Sequence, residues 1–240
     1  MDTTSYIAVG RQLGLAHRLE VIAHNLANLR TPGYKSEQIG FETVAVSAGP
    51  PGRLAFVQDV GRRVDLSEGA LESTGNPLDF AISGPGFFTF GTPEGPAYGR
   101  NGHLRLTPEG TLVGASGAPL VDENGAAVVI PAGSRDVHLA PDGTLSADGA
   151  IVARLGLVTF DDPRLLERLG DGLFRTGGTP RPATGGKFVQ GMLEASNVEP
   201  VPELVRLIDT TRAFEAVQRL IETRHELERQ HLRQATGGRA

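Results

Sequence analysis

Apolar residues recur along the first thirty positions with a helical period. Ala8, Leu15, Leu19, Ile22, Leu26 and Leu29 follow a four–three alternation that only Gln12 interrupts. The spacing predicts a helix over 3–29, capped at Asp2 or Thr3 and stopped by Thr31-Pro32-Gly33. Its apolar stripe is narrow, nearer a coiled-coil seam than a full core-facing side, so it needs a partner. A second helical pattern runs from Pro200 to Gln234, with both Pro200 and Pro202 tolerated in its first turn. There Leu207, Phe214, Val217 and Ile221 recur at seven–three–four spacing, and Leu204, Leu220 and Leu227 widen the face. Residues 236–240 are expected to fray.

Between the helices the period changes. Short apolar runs alternate with tight-turn signals at Pro93-Glu-Gly95, Pro108-Glu-Gly110, Glu123-Asn-Gly125, Pro141-Asp-Gly143 and Asp148-Gly149. Strands are predicted at 78–83, 87–90, 104–107, 111–113, 128–130, 137–139 and 152–159, and residues 161–170 read as about one helical turn. Leu106-Thr-Pro-Glu-Gly-Thr-Leu112 and Leu139-Ala-Pro-Asp-Gly-Thr-Leu145 form a weak repeat. Two copies are too few for a solenoid, so they read as two similar turns in one antiparallel sheet. The pattern thus implies an α+β chain. Its N- and C-terminal helices pair as a coiled-coil-like layer, and its centre is an antiparallel β-rich domain. The boundaries are 1–33 with 199–240 for the helical domain, 34–75 for a connecting segment with short strands, and 76–198 for the β-rich domain.

Composition removes several function classes. A formal charge of −5 offers no basic footprint for nucleic acid. Seven arginines against seven acids in residues 199–240 describe a balanced, solvated helix face. The chain lacks cysteine and tryptophan, which excludes disulfides, thiolate metal sites and a Cys nucleophile. No apolar run reaches the length of a membrane span, and Asp2 stands where a cleaved signal would carry basic residues. His225 and His231 are six apart, not four, and His17 and His24 lack a third ligand. Asp161, Asp162 and Asp171 have no EF-hand spacing and read as loop and capping acids. Gly84-Pro85-Gly86 has neither the spacing nor the Lys-Ser/Thr of a phosphate loop, and no serine lies in a G-x-S-x-G elbow. The expectation is a chain with no catalytic residue, cofactor, metal or small-molecule substrate. An adhesin-like or carbohydrate-active β protein is the rival reading, and an aromatic-lined cleft would favour it.

Three separated segments go beyond generic pattern. The first is His24-Asn-Leu-Ala-Asn-Leu-Arg-Thr-Pro-Gly-Tyr-Lys35. The second is Gly75-Asn-Pro-Leu-Asp-Phe-Ala-Ile-Ser-Gly-Pro-Gly-Phe-Phe88, followed by Tyr98-Gly-Arg-Asn-Gly102. The third is Gln190-Gly-Met-Leu-Glu-Ala-Ser-Asn-Val198, with the helix after it. Their order and content resemble the bacterial flagellar axial proteins, the rod, hook and hook-associated subunits. His24 and Leu29-Arg30 depart from the usual motif. The short stretch from Phe41 to Gly75 is similar to proximal-rod members, with a distal-rod member of the same family as the second reading, and 240 residues leave no room for the extra domains of a hook protein.

The resemblance implies a rod subunit that polymerises through its terminal helices into the drive shaft for motility. It also implies like and unlike rod subunits and the flagellar export apparatus as partners. The location would be the periplasm-spanning rod, reached without a cleaved signal peptide and without membrane insertion. The implied assembly interface is Leu15, Leu19, Ile22, Asn25, Leu26, Asn28, Asn197, Leu207, Phe214, Val217 and Ile221. Asn25 and Asn28, read as residues alone, are helix-end groups able to bond backbone amides or carbonyls.

Overall fold

The structure, a computed structural model, describes residues 3–47 and 53–237, with side chains described at 7–40, 62–227 and 229–230. The chain forms two compact units. One gathers Met1–Ala27, Glu37–Arg63 and Glu199–Ala240; the other gathers Asn28–Ser36 and Val64–Val198.

In the first unit, α1 (Thr3–Ala27) packs against α2 (Pro200–Gly237), and β1 (Glu37–Ser47) pairs with β2 (Arg53–Val64). Helix α1 stops two residues short of the predicted Leu29. The reason is local: the Thr31 hydroxyl donates to Asn28 Oδ1 and its amide to the Asn28 carbonyl, so Asn28–Thr31 is already a turn. Pro200 opens α2 without a wasted N–H, and Glu203 lies in the first turn, where the helix dipole favours a negative charge. Residues 236 and 237 are still helical. The rest of the expected frayed tail, the Asp2 cap and Ala48–Gly52 lie outside the described residues.

The second unit is built from short strands: β3 (Leu71–Ser73), β4 (Phe80–Ser83), β5 (Phe88–Thr92), β6 (Gly95–Gly99), β7 (Arg105–Leu106), β8 (Leu112–Val113), β9 (Val137–Leu139), β10 (Thr144–Ala147), β11 (Ala150–Arg154), β12 (Val158–Thr159), β13 (Leu166–Gly170), β14 (Leu173–Thr176), β15 (Arg181–Pro182), β16 (Lys187–Gln190) and β17 (Met192–Glu194). The order β13-β14-β6-β5 makes the largest sheet, and β11-β10-β9 makes a three-stranded one. Strands β16 and β4, and β17 and β3, pair antiparallel across more than a hundred residues of sequence.

One turn recurs four times. At 107–111, 114–118, 122–126 and 140–144 the first residue's N–H bonds the fifth residue's C=O, and the fourth residue's N–H bonds the first residue's C=O. The fourth residue is always glycine, with φ of 84°, 82°, 82° and 91°. This is a type I turn closed by a left-handed residue, a conformation that glycine adopts without a Cβ penalty. After the first three turns, Leu112, Leu120 and Val128 close a ring of backbone bonds. Leu112 donates to Val128, Val128 to Leu120, and Leu120 to Leu112, each at 2.9 Å. All three side chains are buried.

Several expectations change. The repeated 106–112 and 139–145 turns do share one geometry, but they lie in two different sheets. Residues 128–130 are not a strand, because Val129 makes only a single isolated bridge, to Thr111. The predicted strand at 152–159 is two, β11 and β12, separated by Leu155-Gly156-Leu157. Residues 161–170 form a 3₁₀ turn at Pro163–Leu165, capped by Asp162, and then strand β13. The leucine spacing there suggested a helix, but pairing of Leu166–Gly170 with β14 prevails.

Two cores fill the unit. Phe80, Ile82, Phe88, Phe90, Leu112, Leu145 and Phe188 belong to one; Phe87, Tyr98, Leu166 and Phe174 belong to the other. Adjacent Phe87 and Phe88 serve opposite sides, as residues flanking a strand start do. Phe88 lies 5.9 Å from Phe188, and Tyr98 meets Phe160 edge-on at 4.9 Å.

Candidate functional site

The three singled-out motifs meet in the second unit. Lys35 ends the first, Arg100 lies in the continuation of the second, and Glu194 is the centre of the third. Glu194 Oε1 accepts from Lys35 Nζ at 2.6 Å and from the Gly69 amide at 2.9 Å, and Oε2 accepts from Arg100 Nε at 2.7 Å. All three side chains are buried, with exposures of 1%, 3% and 0% for Lys35, Arg100 and Glu194. Arg100 also donates through Nη1 to the carbonyls of Gly84 and Gly86 and through Nη2 to that of Ile82, and Lys35 also donates to the Ser67 carbonyl. Burial alone would raise the Glu194 carboxyl, but the hydrogen bond and charge of Arg100, then Lys35, hold it below the usual value. Burial lowers the Lys35 ammonium, and the Glu194 charge offsets that only in part.

Backbone and neutral groups complete the junction. The Gly33 amide donates to the Glu194 carbonyl at 2.7 Å. Gly33 is at φ 66°, and a Cβ there would stand 2.4 Å from the Arg100 carbonyl carbon, so the close approach requires glycine. Asn197 Oδ1 accepts from the Ser36 amide at 2.7 Å, and its Nδ2 donates to the carbonyls of Asp65 and Ser67. The Arg168 guanidinium lies 4.4 Å over Tyr34 and donates to the Lys35 carbonyl. Gln190 Nε2 donates to the Val137 and Pro77 carbonyls, and its Oε1 accepts from the Leu139 amide. Its side chain thereby acts as an extra rung on the edge of β9. Asn76 and His103 both bond Asp79, which joins Gly75–Asp79 to the Tyr98–Gly102 segment.

In the first unit Asn25 is buried at 1% exposure. Its Nδ2 donates to the Glu37 carbonyl at 2.9 Å and its Oδ1 accepts the Glu37 amide at 3.0 Å. The same Nδ2 lies 3.4 Å from Glu203 Oε1, which also accepts from Arg206 at 2.7 Å. Of the seam residues expected from spacing, Ile22 and Val217 are buried, while Leu15, Leu19, Leu26, Leu207, Phe214 and Ile221 are half-buried. Val21, also buried, was not among them. Leu204, Leu220 and Leu227, read as widening that face, are exposed instead. They join Val201, Val205 and Ile208 on α2, and Val9 and Leu13 on α1, as exposed apolar side chains.

The sequence reading singled out Asn25, Asn28 and Asn197 but passed over Lys35, Arg100, Glu194 and Gln190. The signal available was a charged residue at a fixed place in each motif, two of one sign and one of the other. A groove of about 800 Å³ in the second unit is touched by Tyr98 and Phe188, both of them buried core rings rather than a stacking floor. Among the described residues no cluster of three His, Asp or Glu could hold a metal, and no helix is long and apolar enough to cross a membrane.

Residues 6–35 match the family described as flagella basal body rod protein, residues 81–147 the flagellar hook protein FlgE/F/G D1 domain, and residues 189–234 the flagellar basal body rod FlgEFG protein C-terminal family. The flagellar basal-body rod protein FlgF of Caulobacter vibrioides is 37% identical over 235 residues, covering 95% of this chain and 96% of that protein. FlgF of Rhizobium meliloti is 34% identical, with 92% of each chain covered. FlgG of Bacillus subtilis is 30% identical over 92% of this chain and 95% of its own. The chain that folds its three motifs into one buried junction belongs to the flagellar basal-body rod protein family.

Proposed function

We propose that this chain is a structural, non-enzymatic subunit of the bacterial flagellar rod, of the proximal type, and that it polymerises through α1 and α2. The observation that carries the assembly reading is the double apolar character of the helices. One set of apolar side chains is buried or half-buried where α1 packs on α2. A second set stays exposed: Val201, Leu204, Val205 and Ile208 follow one-turn spacing along the start of α2. Burying each such residue fully against a neighbour contributes roughly 1.5–3 kcal/mol. Contacts of this kind between unlike faces do not close on themselves and build a filament.

In this reading the helices form a coiled-coil-like layer of residues 1–33 and 199–240. Residues 34–75 connect it to a β-rich domain of 76–198. The inner seam is Leu15, Leu19, Ile22, Leu26, Leu207, Phe214, Val217 and Ile221, and Asn25, Asn28 and Asn197 fix the chain where the helices end and begin. Partners are other rod subunits, like and unlike, and the export apparatus. The location is the basal body, reached without a cleaved signal peptide. The reading rests on membership of the rod family, where relatives with near full-length coverage carry the FlgF name at 34–37% identity.

The test is complementation of a strain lacking the gene with Val205→Asp and Ile208→Asp variants. Loss of rod assembly with a normally folded β-rich unit supports the assembly face. Normal rods and swimming with both variants would overturn it.

A further inference from the structure

A buried carboxylate held by two buried cations is a discrete device, because its members cannot be solvated one at a time. Glu194 reaches its cations only when three segments are seated: 33–36, the loop around Arg100, and 191–198. Strand β17 pairs with β3 through Glu194↔Leu71, and the Gly69 amide donates to the same carboxylate, so residues 69–73 share the seat. Away from this junction, the ring of Leu112, Leu120 and Val128 is closed by its own backbone bonds and contacts none of the three charges through a hydrogen bond. The unit therefore contains one region held by charge and another held by apolar burial and backbone pairing.

We propose that Lys35, Arg100 and Glu194 form an acid-sensitive lock, which releases segments 33–36, 69–73 and 191–198 together while the Leu112–Leu120–Val128 ring stays formed. The sequence places this lock eight residues after α1 and six before α2, close along the chain to two of the four points at which it passes from one unit to the other. The charged groups facing Glu194 are Lys35 and Arg100. Glu68 acts on Lys35 from the outer side, and Arg168 holds the Lys35 carbonyl. A protonated Glu194 leaves two buried cations facing each other with only exposed Glu68 to compensate, and an uncompensated buried charge is strongly unfavourable.

The direction of the pH effect follows from linkage. Glu194 has a folded value below its ordinary 4.5, so its contribution is complete above that value and is lost as pH falls through the lower, folded value. Lys35 does not set the acid limb, since its lowered value acts at the alkaline end.

The experiment is amide hydrogen exchange read by mass spectrometry on the full chain, corrected for the intrinsic pH dependence of exchange. In wild type, peptides covering 33–36, 69–73 and 191–198 are expected to lose protection in one step as pH falls below 4.5, before peptides covering 112, 120 and 128. At pH 7, Glu194→Gln is expected to raise opening of the same three segments at least tenfold and leave the ring peptides unchanged. Glu68→Gln is expected to change all of them less than threefold. Three segments opening at different pH values, equal loss across the unit, or wild-type protection in Glu194→Gln would each overturn the lock. Should Glu194→Gln fail to fold, the wild-type pH series alone decides.

Discussion

Asn25 grips both backbone polar groups of Glu37: its Nδ2 donates to the carbonyl at 2.9 Å and its Oδ1 accepts the amide at 3.0 Å. A side-chain amide presents one donor and one acceptor in the same arrangement as a neighbouring strand. Asn25 thus serves as a one-residue strand for the start of β1 while remaining part of α1. Replacing it by leucine removes both of these buried bonds, and a lost buried hydrogen bond costs about 1–3 kcal/mol where no other group takes it up. Asn25→Leu is therefore expected to lower the urea midpoint of the full chain clearly. Asn25→Asp keeps the acceptor, loses the donor and adds a charge beside Glu203, so it should be no better. A midpoint within experimental error of wild type for Asn25→Leu would contradict this role.

Gly125 and Gly143 close the same type of turn but differ in surroundings. A Cβ on Gly125 meets open space, whereas one on Gly143 would stand 2.3 Å from the Leu155 carbonyl oxygen. Gly125→Ala carries only the left-handed backbone penalty, about 1–2 kcal/mol. Gly143→Ala adds a clash with the Leu155 carbonyl, next to the bond in which the Leu155 amide donates to the Gly143 carbonyl, and should destabilise the unit substantially more. Equal thermal midpoints for the two variants would show that the backbone at Leu155 yields freely.

Leu112 is completely buried and belongs to the backbone ring. Leu112→Ala opens a cavity among Phe90, Leu120 and the rest of that core, with an expected cost of about 2–5 kcal/mol. Exposed Ile151, on β11, provides the contrast: Ile151→Ala should stay within about 0.5 kcal/mol. Paired urea denaturation measures both.

In the buried ion cluster, removing the carboxylate differs from removing one cation. Lys35→Met leaves Glu194 with Arg100 and the Gly69 amide, and it also removes the burial cost that lowers the Lys35 ammonium. Glu194→Gln leaves two cations with no buried anion, in the range of about 3–5 kcal/mol known for broken buried pairs. Glu194→Gln should therefore be the more destabilising of the two in urea. The reverse ranking would mean that Lys35, not Glu194, organises the cluster.

Leu26 lies half-buried one position beyond Asn25. Leu26→Asp is expected to prevent incorporation into rods while leaving the second unit folded, as judged by circular dichroism of the soluble chain. Rods that form normally would show that the inner seam tolerates a charge.

The two helices were legible because one period repeats for many turns, broken in α1 only at Gln12. Their ends were less so: α1 stops at Ala27 through the Asn28–Thr31 turn, a local bond set that hydrophobic spacing does not report. In the β-rich unit, the turns announced themselves through glycine, since a left-handed position all but demands it. Their partners did not. Strand β6, Gly-Pro-Ala-Tyr-Gly, has no alternation, and β13 has leucine spacing that fits a helix as well. The pairing decided both.

The same division holds for the junction. By itself, the sequence determined the helix–β–helix order, the absence of thiol chemistry and the three motifs that carry the family resemblance, because each of these is local or compositional. That Lys35, Arg100 and Glu194 share one buried site was decided only by the tertiary structure. Their separations of 65 and 94 residues carry no periodic signal. A charge in a motif reads as a solvated side chain until folding removes its water and supplies the opposite charge.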